Sequence, residues 1–177
     1  MENKKQKYMF FYLRTGGGHL APAKAVANYL EKYYSNETSV ILVDGLKEAP
    51  EYSRFILEDG YRILQNNAKW SFEFLYAVNK FPLFAQSNSA LVSGRVVPYI
   101  QKQILSELPD KIVIFHFFLI KPVYSILKKH KLNIPVITVV TDPYSAHPVW
   151  FLNKKQKMVV FSNKVKEFAL SQKIKPQ

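Results

Sequence analysis

Tyr8-Met-Phe-Phe-Tyr-Leu-Arg14 runs straight into Thr15-Gly-Gly-Gly18, and after it Leu20, Ala23, Ala27, Leu30 and Tyr34 recur at helical spacing. A short apolar run, a glycine turn and a 3.6-residue period in immediate succession predict strand, loop and helix. The same alternation returns down the chain. Ser39-Val-Ile-Leu-Val-Asp44 is a second apolar run ending on an acid. Lys111-Ile-Val-Ile-Phe-His-Phe-Phe118, Ile134-Pro-Val-Ile-Thr-Val-Val-Thr-Asp142 and Lys157-Met-Val-Val-Phe-Ser162 follow, with helical patterns at Lys121–Lys131 and Asn163–Gln172. These strand runs are apolar throughout and show no period of two, so both faces of their sheet are covered. The expected class is α/β, doubly wound around a mostly parallel sheet. Residues from about Glu51 to Leu108 keep a helical period without strand runs, broken near Phe81-Pro82 and at Pro98, and read as a helical insert. The end, Lys173-Ile-Lys-Pro-Gln177, reads as a polar tail.

The chain has 177 residues, 48% of them hydrophobic and 15% aromatic, which suits one domain with its own core and argues against intrinsic disorder. No cysteine is present, so a disulfide framework, a thiolate zinc site and a cysteine nucleophile are excluded, and a reducing compartment is the expected home. The apolar run Tyr8–Leu13 is too short for a signal peptide, and no stretch of about 18 apolar residues offers a membrane span. Twenty-five Lys and Arg against 13 Asp and Glu give a formal net charge of +12. That surplus fits nucleic acid, anionic lipid or phosphorylated ligands.

In an open parallel sheet, ligands bind beyond the carboxyl ends of the strands. Gly16, Gly17, Gly18 and His19 follow the first strand, Asp44 ends the second, His116 lies late in the third, and Asp142 and His147 follow the fourth. Three of the 4 histidines therefore map to one edge. Glycines let the backbone approach a ligand closely, and the following helix offers free N–H groups, so a phosphate or a sugar oxygen suits this loop. The spacing is neither that of a Walker A loop nor G-x-G-x-x-G. A histidine at a helix N-terminus should stay neutral near pH 7 and suits a general base. Thr141-Asp-Pro-Tyr-Ser-Ala-His-Pro-Val-Trp150 adds an acid, a histidine and Trp150 in one proline-stiffened loop, as functional loops often do. A metal-dependent hydrolase built on the three edge histidines and Asp142 is an alternative reading, but compact ligand spacing such as H-E-x-x-H is missing, so no metal is expected.

The insert carries the remaining signal. Trp70, Phe72, Phe81 and Phe84 are interleaved with Lys69, Lys80 and Arg95, the residue types of a segment that lies on anionic lipid. Packing of these rings into a helical core is the other reading, and a peripheral membrane module without chemistry of its own is the non-enzyme alternative. Stacking on single-stranded nucleic acid uses the same side chains, but no RNA-binding signature accompanies them, so nucleic acid is not an expected partner.

Thr-Gly-Gly-Gly-His-Leu-Ala-Pro-Ala after the first strand, Asp44 ending the second, Pro109-Asp-Lys-Ile-Val before His116, and Val-Val-Thr-Asp-Pro-Tyr-Ser-Ala-His-Pro-Val-Trp-Phe together make a specific pair of motifs. With them the chain resembles the N-terminal domain of the monogalactosyldiacylglycerol synthases and processive diacylglycerol glucosyltransferases. These are GT-B glycosyltransferases, related to the N-acetylglucosaminyltransferase that forms lipid II. The resemblance implies a Rossmann-like acceptor-binding domain over residues 1–177, with the insert at about 51–108 facing the membrane. It implies hexose transfer from a UDP-sugar to diacylglycerol on an anionic membrane, at its cytoplasmic face. His19 matches the position of the base that deprotonates the acceptor. Asp142 and His147 match the acid and histidine of the second motif, which orient His19 or the sugar. Gly16, Gly17, Gly18, His116 and Trp150 would line the acceptor, sugar or phosphate site. No cofactor is implied, the UDP-sugar being a co-substrate. Its donor-binding C-terminal domain is not part of this sequence and is expected as a further domain or a separate subunit. Leu20 and Pro22 depart from the usual wording of the family's glycine motif.

Overall fold

The computed structural model of the chain describes residues 4–15, 17–49, 51–54 and 97–175. Strands β1 (Gln6–Tyr12), β2 (Thr38–Asp44), β3 (Lys111–Ile114), β4 (Val136–Val139) and β5 (Lys157–Val159) form one sheet. Their order is β2-β1-β3-β4-β5, and every neighbouring pair is parallel. Beside one helical turn at Glu51–Arg54, the described helices are α1 (Gly17–Tyr34), α2 (residues 97–107), α3 (Ile120–Lys129) and α4 (Asn163–Ser171), with 3-10 helices at Phe117–Leu119 and Pro148–Phe151. This is the doubly wound α/β fold expected from the strand runs.

Alternation along β1 divides the core. Met9, Phe11 and Leu13, with Ile112 and Ile114 of β3, pack against Ile100 and Ile104 of α2, Val123 and Ile126 of α3, and Val165 of α4. Phe10 and Tyr12, with Val113, Phe115 and Val139, face Ala23 and Ala27 of α1. Each large side chain withdrawn from water contributes about 1.5–3 kcal/mol, which is why a seven-residue strand such as β1 is apolar on both sides. After β2 the chain passes so close to the core that a Cβ on Gly45 would lie 2.7 Å from Leu119 Cδ2 and 2.9 Å from Leu13 Cδ2.

α1 covers one face while α2, α3 and α4 cover the other, so the winding reverses between β1 and β3. The loops leaving these two strands run to opposite faces, and the carboxyl ends of this pair are where an open sheet is expected to bind its ligand.

Three details differ from the sequence reading. β3 stops at Ile114, short of its apolar run, because His116 turns the chain into the first 3-10 helix and caps it with its own ring, and β4 stops at Val139. The end is not a free polar tail, since Ile174 is buried in the core. Lys173 takes a left-handed φ of 64°, and the N–H groups of Lys173 and Ile174 return to Leu170 and Ala169 at 2.9 and 3.1 Å, a helix-ending motif that tucks Ile174 inward. The described parts of the insert, Glu51–Arg54 and 97–107, are helical. Lys69, Trp70, Phe72, Lys80, Phe81, Phe84 and Arg95 lie outside the described residues, as does Gly16. Among the described residues no helix is long and apolar enough to cross a membrane.

Candidate active site

His19 is the third residue of α1, placed where the glycine loop delivers the chain from β1 to the helix. Its Nδ1 lies 2.9 Å from the Phe115 carbonyl, at the end of β3, and 2.7 Å from Thr141 Oγ1, just past β4. A carbonyl oxygen only accepts, so the neutral ring carries its proton on Nδ1 and directs it at Phe115, with the Thr141 hydroxyl as a second partner. The opposite tautomer would set a ring lone pair against the carbonyl. Nε2 is therefore left with a free lone pair. Burial pushes the His19 pKa below the ordinary imidazole range, while the Asp142 charge and the Phe115 hydrogen bond work in the other direction. The ring is neutral at physiological pH and competent to accept a proton.

His116 and His147 use one local device at two places. Each is the N-cap of a 3-10 helix and accepts, on Nδ1, the N–H of the residue two positions on, Phe118 at 3.2 Å and Val149 at 3.3 Å. A ring nitrogen that accepts cannot carry the proton, so in both neutral rings the hydrogen sits on Nε2. His116 is 2% exposed, and its ring centre is 4.3 Å from that of His19. Burial, and after it the neighbouring His19, drive its pKa well below the ordinary range.

Phe117 joins the rings into one cluster. Its centre is 4.5 Å from His116, 5.9 Å from His147 in a stacked arrangement, and 5.4 Å from Trp150 edge to face. Trp150 is fully buried, with its ring centre 6.4 Å from His19. Its indole N–H donates to Asp142 Oδ2 at 2.6 Å. Below it, the buried Gln156 amide donates to the Trp150 carbonyl at 2.5 Å and accepts from Thr138 of β4 at 2.8 Å, which ties the loop back to the sheet.

The structure thus brings His19, His116, Asp142, His147 and Trp150 to one edge of the sheet. Asp142 acts on His19 through its charge and accepts a hydrogen bond from Trp150. His147 is reached through Phe117. Gly17 begins α1, and a Cβ on Gly18 would meet nothing within 4 Å. Asp44, the acid ending β2, pairs with Arg14 at 3.0 Å and caps Leu46 N–H at 3.0 Å. Among the described residues no three His, Cys, Asp or Glu side chains converge as a metal site. Sequence reasoning missed Thr141, Phe117, Gln156 and the Phe115 carbonyl. Thr141 stood in the quoted loop, but only the packing of β4 beside β3 reveals its partner.

The family described as monogalactosyldiacylglycerol (MGDG) synthase matches residues 19–177. Among curated proteins, the chain is 25% identical over 174 residues to a probable monogalactosyldiacylglycerol synthase, chloroplastic, of Nicotiana tabacum, covering 97% of this chain and 32% of that protein. It is 26% identical over 165 residues to the monogalactosyldiacylglycerol synthase, chloroplastic, of Spinacia oleracea, covering 92% and 31%. With monogalactosyldiacylglycerol synthase 1, chloroplastic, of Arabidopsis thaliana the identity is 25% over 152 residues, covering 84% and 28%. The chain spans about a third of the length of these relatives.

Proposed function

The chain belongs to the monogalactosyldiacylglycerol synthase family, and we propose that it is the acceptor-binding, membrane-facing half of a glycosyltransferase that moves a hexose from a UDP-sugar to the hydroxyl of diacylglycerol. Galactose is the hexose that the relatives' names carry. The observation that carries the reading is His19, a neutral ring with its proton pinned on Nδ1 and Nε2 left as an acceptor. A base of this kind contributes about 10²–10⁴ to a transfer rate.

The proposed division of labour is simple. Residues 1–177 receive the lipid, with the insert at about 51–108 lying on the bilayer, and a further domain or a separate subunit holds the UDP-sugar. Holding both substrates together is what makes the reaction effectively unimolecular. The surplus of +12 and the basic, aromatic composition of the insert support attachment to anionic lipid. The cytoplasmic face is the proposed side, in keeping with the absence of cysteine. No cofactor is proposed.

The test is a transfer assay on the protein that carries this chain, with diacylglycerol in anionic vesicles and UDP-galactose or UDP-glucose as donor. Labelled glycolipid should form with one donor or both, and the vesicles should retain the protein less as salt rises. Vesicle binding without product from either donor would favour the non-catalytic membrane module. Loss of both would overturn the reading.

A further inference from the structure

The loop that carries Asp142 and Trp150 is tied to the sheet by a buried polar chain. Thr138 lies in β4 and is fully buried, and Gln156, just before β5, is 1% exposed. The Thr138 hydroxyl donates to Gln156 Oε1 at 2.8 Å, and Gln156 Nε2 donates to the Trp150 carbonyl at 2.5 Å. The Trp150 indole N–H donates in turn to Asp142 Oδ2 at 2.6 Å. A buried amide and a buried hydroxyl cost free energy unless each meets a partner, and these partners lead toward one carboxylate. The N–H groups of Val149 and Trp150 return to His147 and so stay within the turn, whereas the Gln156 amide reaches the sheet through Thr138.

The direction of the chain is set by its donors and acceptors. The Trp150 carbonyl only accepts, so the amide presents its NH2 end there. Oε1 then faces Thr138, and the hydroxyl supplies the proton. At the far end, the charge of Asp142 favours the protonated His19 ring, against the burial that disfavours it. A base that becomes a cation as it takes a proton needs a counter-charge that stays in place.

We infer that Thr138 and Gln156 are positioning residues: acting through Trp150, they hold the Asp142 carboxylate at a fixed place beside the His19 ring. The inference rests on the base reading of His19 above and extends the site into the sheet, to two side chains outside both sequence motifs. Removing either one frees the Trp150 carbonyl, lets the indole shift against Asp142, and weakens the hold of the carboxylate on His19.

The test is a set of variants of the protein that carries this chain, read by ring titration of His19, by the Trp150 indole N–H resonance and by transfer kinetics. Thr138→Val and Gln156→Met should both make His19 titrate at a lower pH than in the parent. The indole proton, held downfield by its charge-assisted bond, should move upfield in both. Each variant should lower kcat about fivefold with KM little changed. Thr138→Ser, which keeps the hydroxyl, should restore all three readings. In an Asp142→Asn background Gln156→Met should shift His19 no further, as expected for groups acting along one route. A lower Tm with the His19 midpoint and the indole resonance unmoved would reduce the chain to a structural tie and overturn the inference. Shifts that add in full to those of Asp142→Asn would overturn the route through Asp142. The ring titration needs no substrate, so a lowered midpoint with kcat unchanged would support the positioning and overturn the base reading alone. If Gln156→Met does not fold, Thr138→Val and Thr138→Ser decide, and where acid unfolds the chain first, the indole resonance at about pH 7 decides.

Discussion

The two ends of the sheet are built from opposite materials. At the amino ends of the strands an open cleft of about 820 Å³ is lined by residues such as Lys4, Lys5, Tyr34, Glu37 and Asp110. Its charges are met at the surface. Lys7 pairs with Glu107 at 3.1 Å, its backbone N–H donates to Asp110 at 2.7 Å, and Lys111 reaches Gln6 at 3.0 Å. At the carboxyl ends the chemistry gathers, with two histidines whose pKa values are pushed down by burial, a buried indole bonded to a carboxylate, and a glycine whose Cβ position is open. In a parallel sheet only the carboxyl edge gathers helix N-termini, strand-end carbonyls and the longest loops, so only there can a ring be fixed by groups from three strands.

Substitutions at the two ends should separate sharply. His19→Ala should lower transfer by about 10²–10⁴ with folding intact, and an unchanged rate would remove the contrast at its root. Trp150→Ala should cost about 3–5 kcal/mol of stability, read as a lower urea midpoint. A loss under about 1 kcal/mol would show that the carboxyl edge does not depend on this anchor. Acid should weaken the carboxyl edge as well. His19 and His116 both have folded pKa values below the unfolded value of about 6.5. Between the folded and unfolded values the unfolded chain binds more protons, so their stabilisation is complete above about pH 6.5 and is lost as pH falls through the folded values. A thermal series in which Tm stays level or rises between about pH 7 and about pH 5 would contradict this assignment, and His116→Gln should flatten the slope.

Thr141→Val should reduce kcat about tenfold by taking one of two partners from His19 Nδ1, with KM little changed. A proportionate rise in KM would instead place Thr141 in substrate binding. Lys7→Ala, at the amino end, should cost less than about 1 kcal/mol and leave the rate alone. A rate loss there comparable to that of Thr141→Val would erase the distinction between the two edges.

Much of this edge was legible before folding. The carboxyl-end rule gathers His19, His116, Asp142, His147 and Trp150 from five separate positions in the sequence, because strand runs such as Met9–Leu13 and Ile112–Phe115 announce where each loop begins. Two kinds of feature were hidden. One is the backbone. The Phe115 carbonyl that decides the His19 tautomer belongs to a residue whose side chain packs on the other side of the matter, against Phe10. The other is the local turn. His116 and His147 look like free side chains in the sequence, yet each gives one nitrogen to its own backbone. Ile174 was hidden for a similar reason, since a left-handed lysine does not advertise that it ends a helix inward.

Parallel pairing also sets the order in which the site can come into being. Tyr8 of β1 pairs with Val40 of β2 as soon as α1 has formed, but its partner on the other side, Lys111 of β3, lies 103 residues away. The carbonyl that fixes His19 is 96 residues distant and the hydroxyl 122. Contacts of such separation form late, because long loops must close first. On the ribosome, then, the glycine loop and its histidine emerge early as part of a β1-α1-β2 unit, and the His19 ring acquires its proton placement only when β3 and β4 dock. A nascent chain stalled before residue 111 would hold every atom of His19 and none of its chemistry.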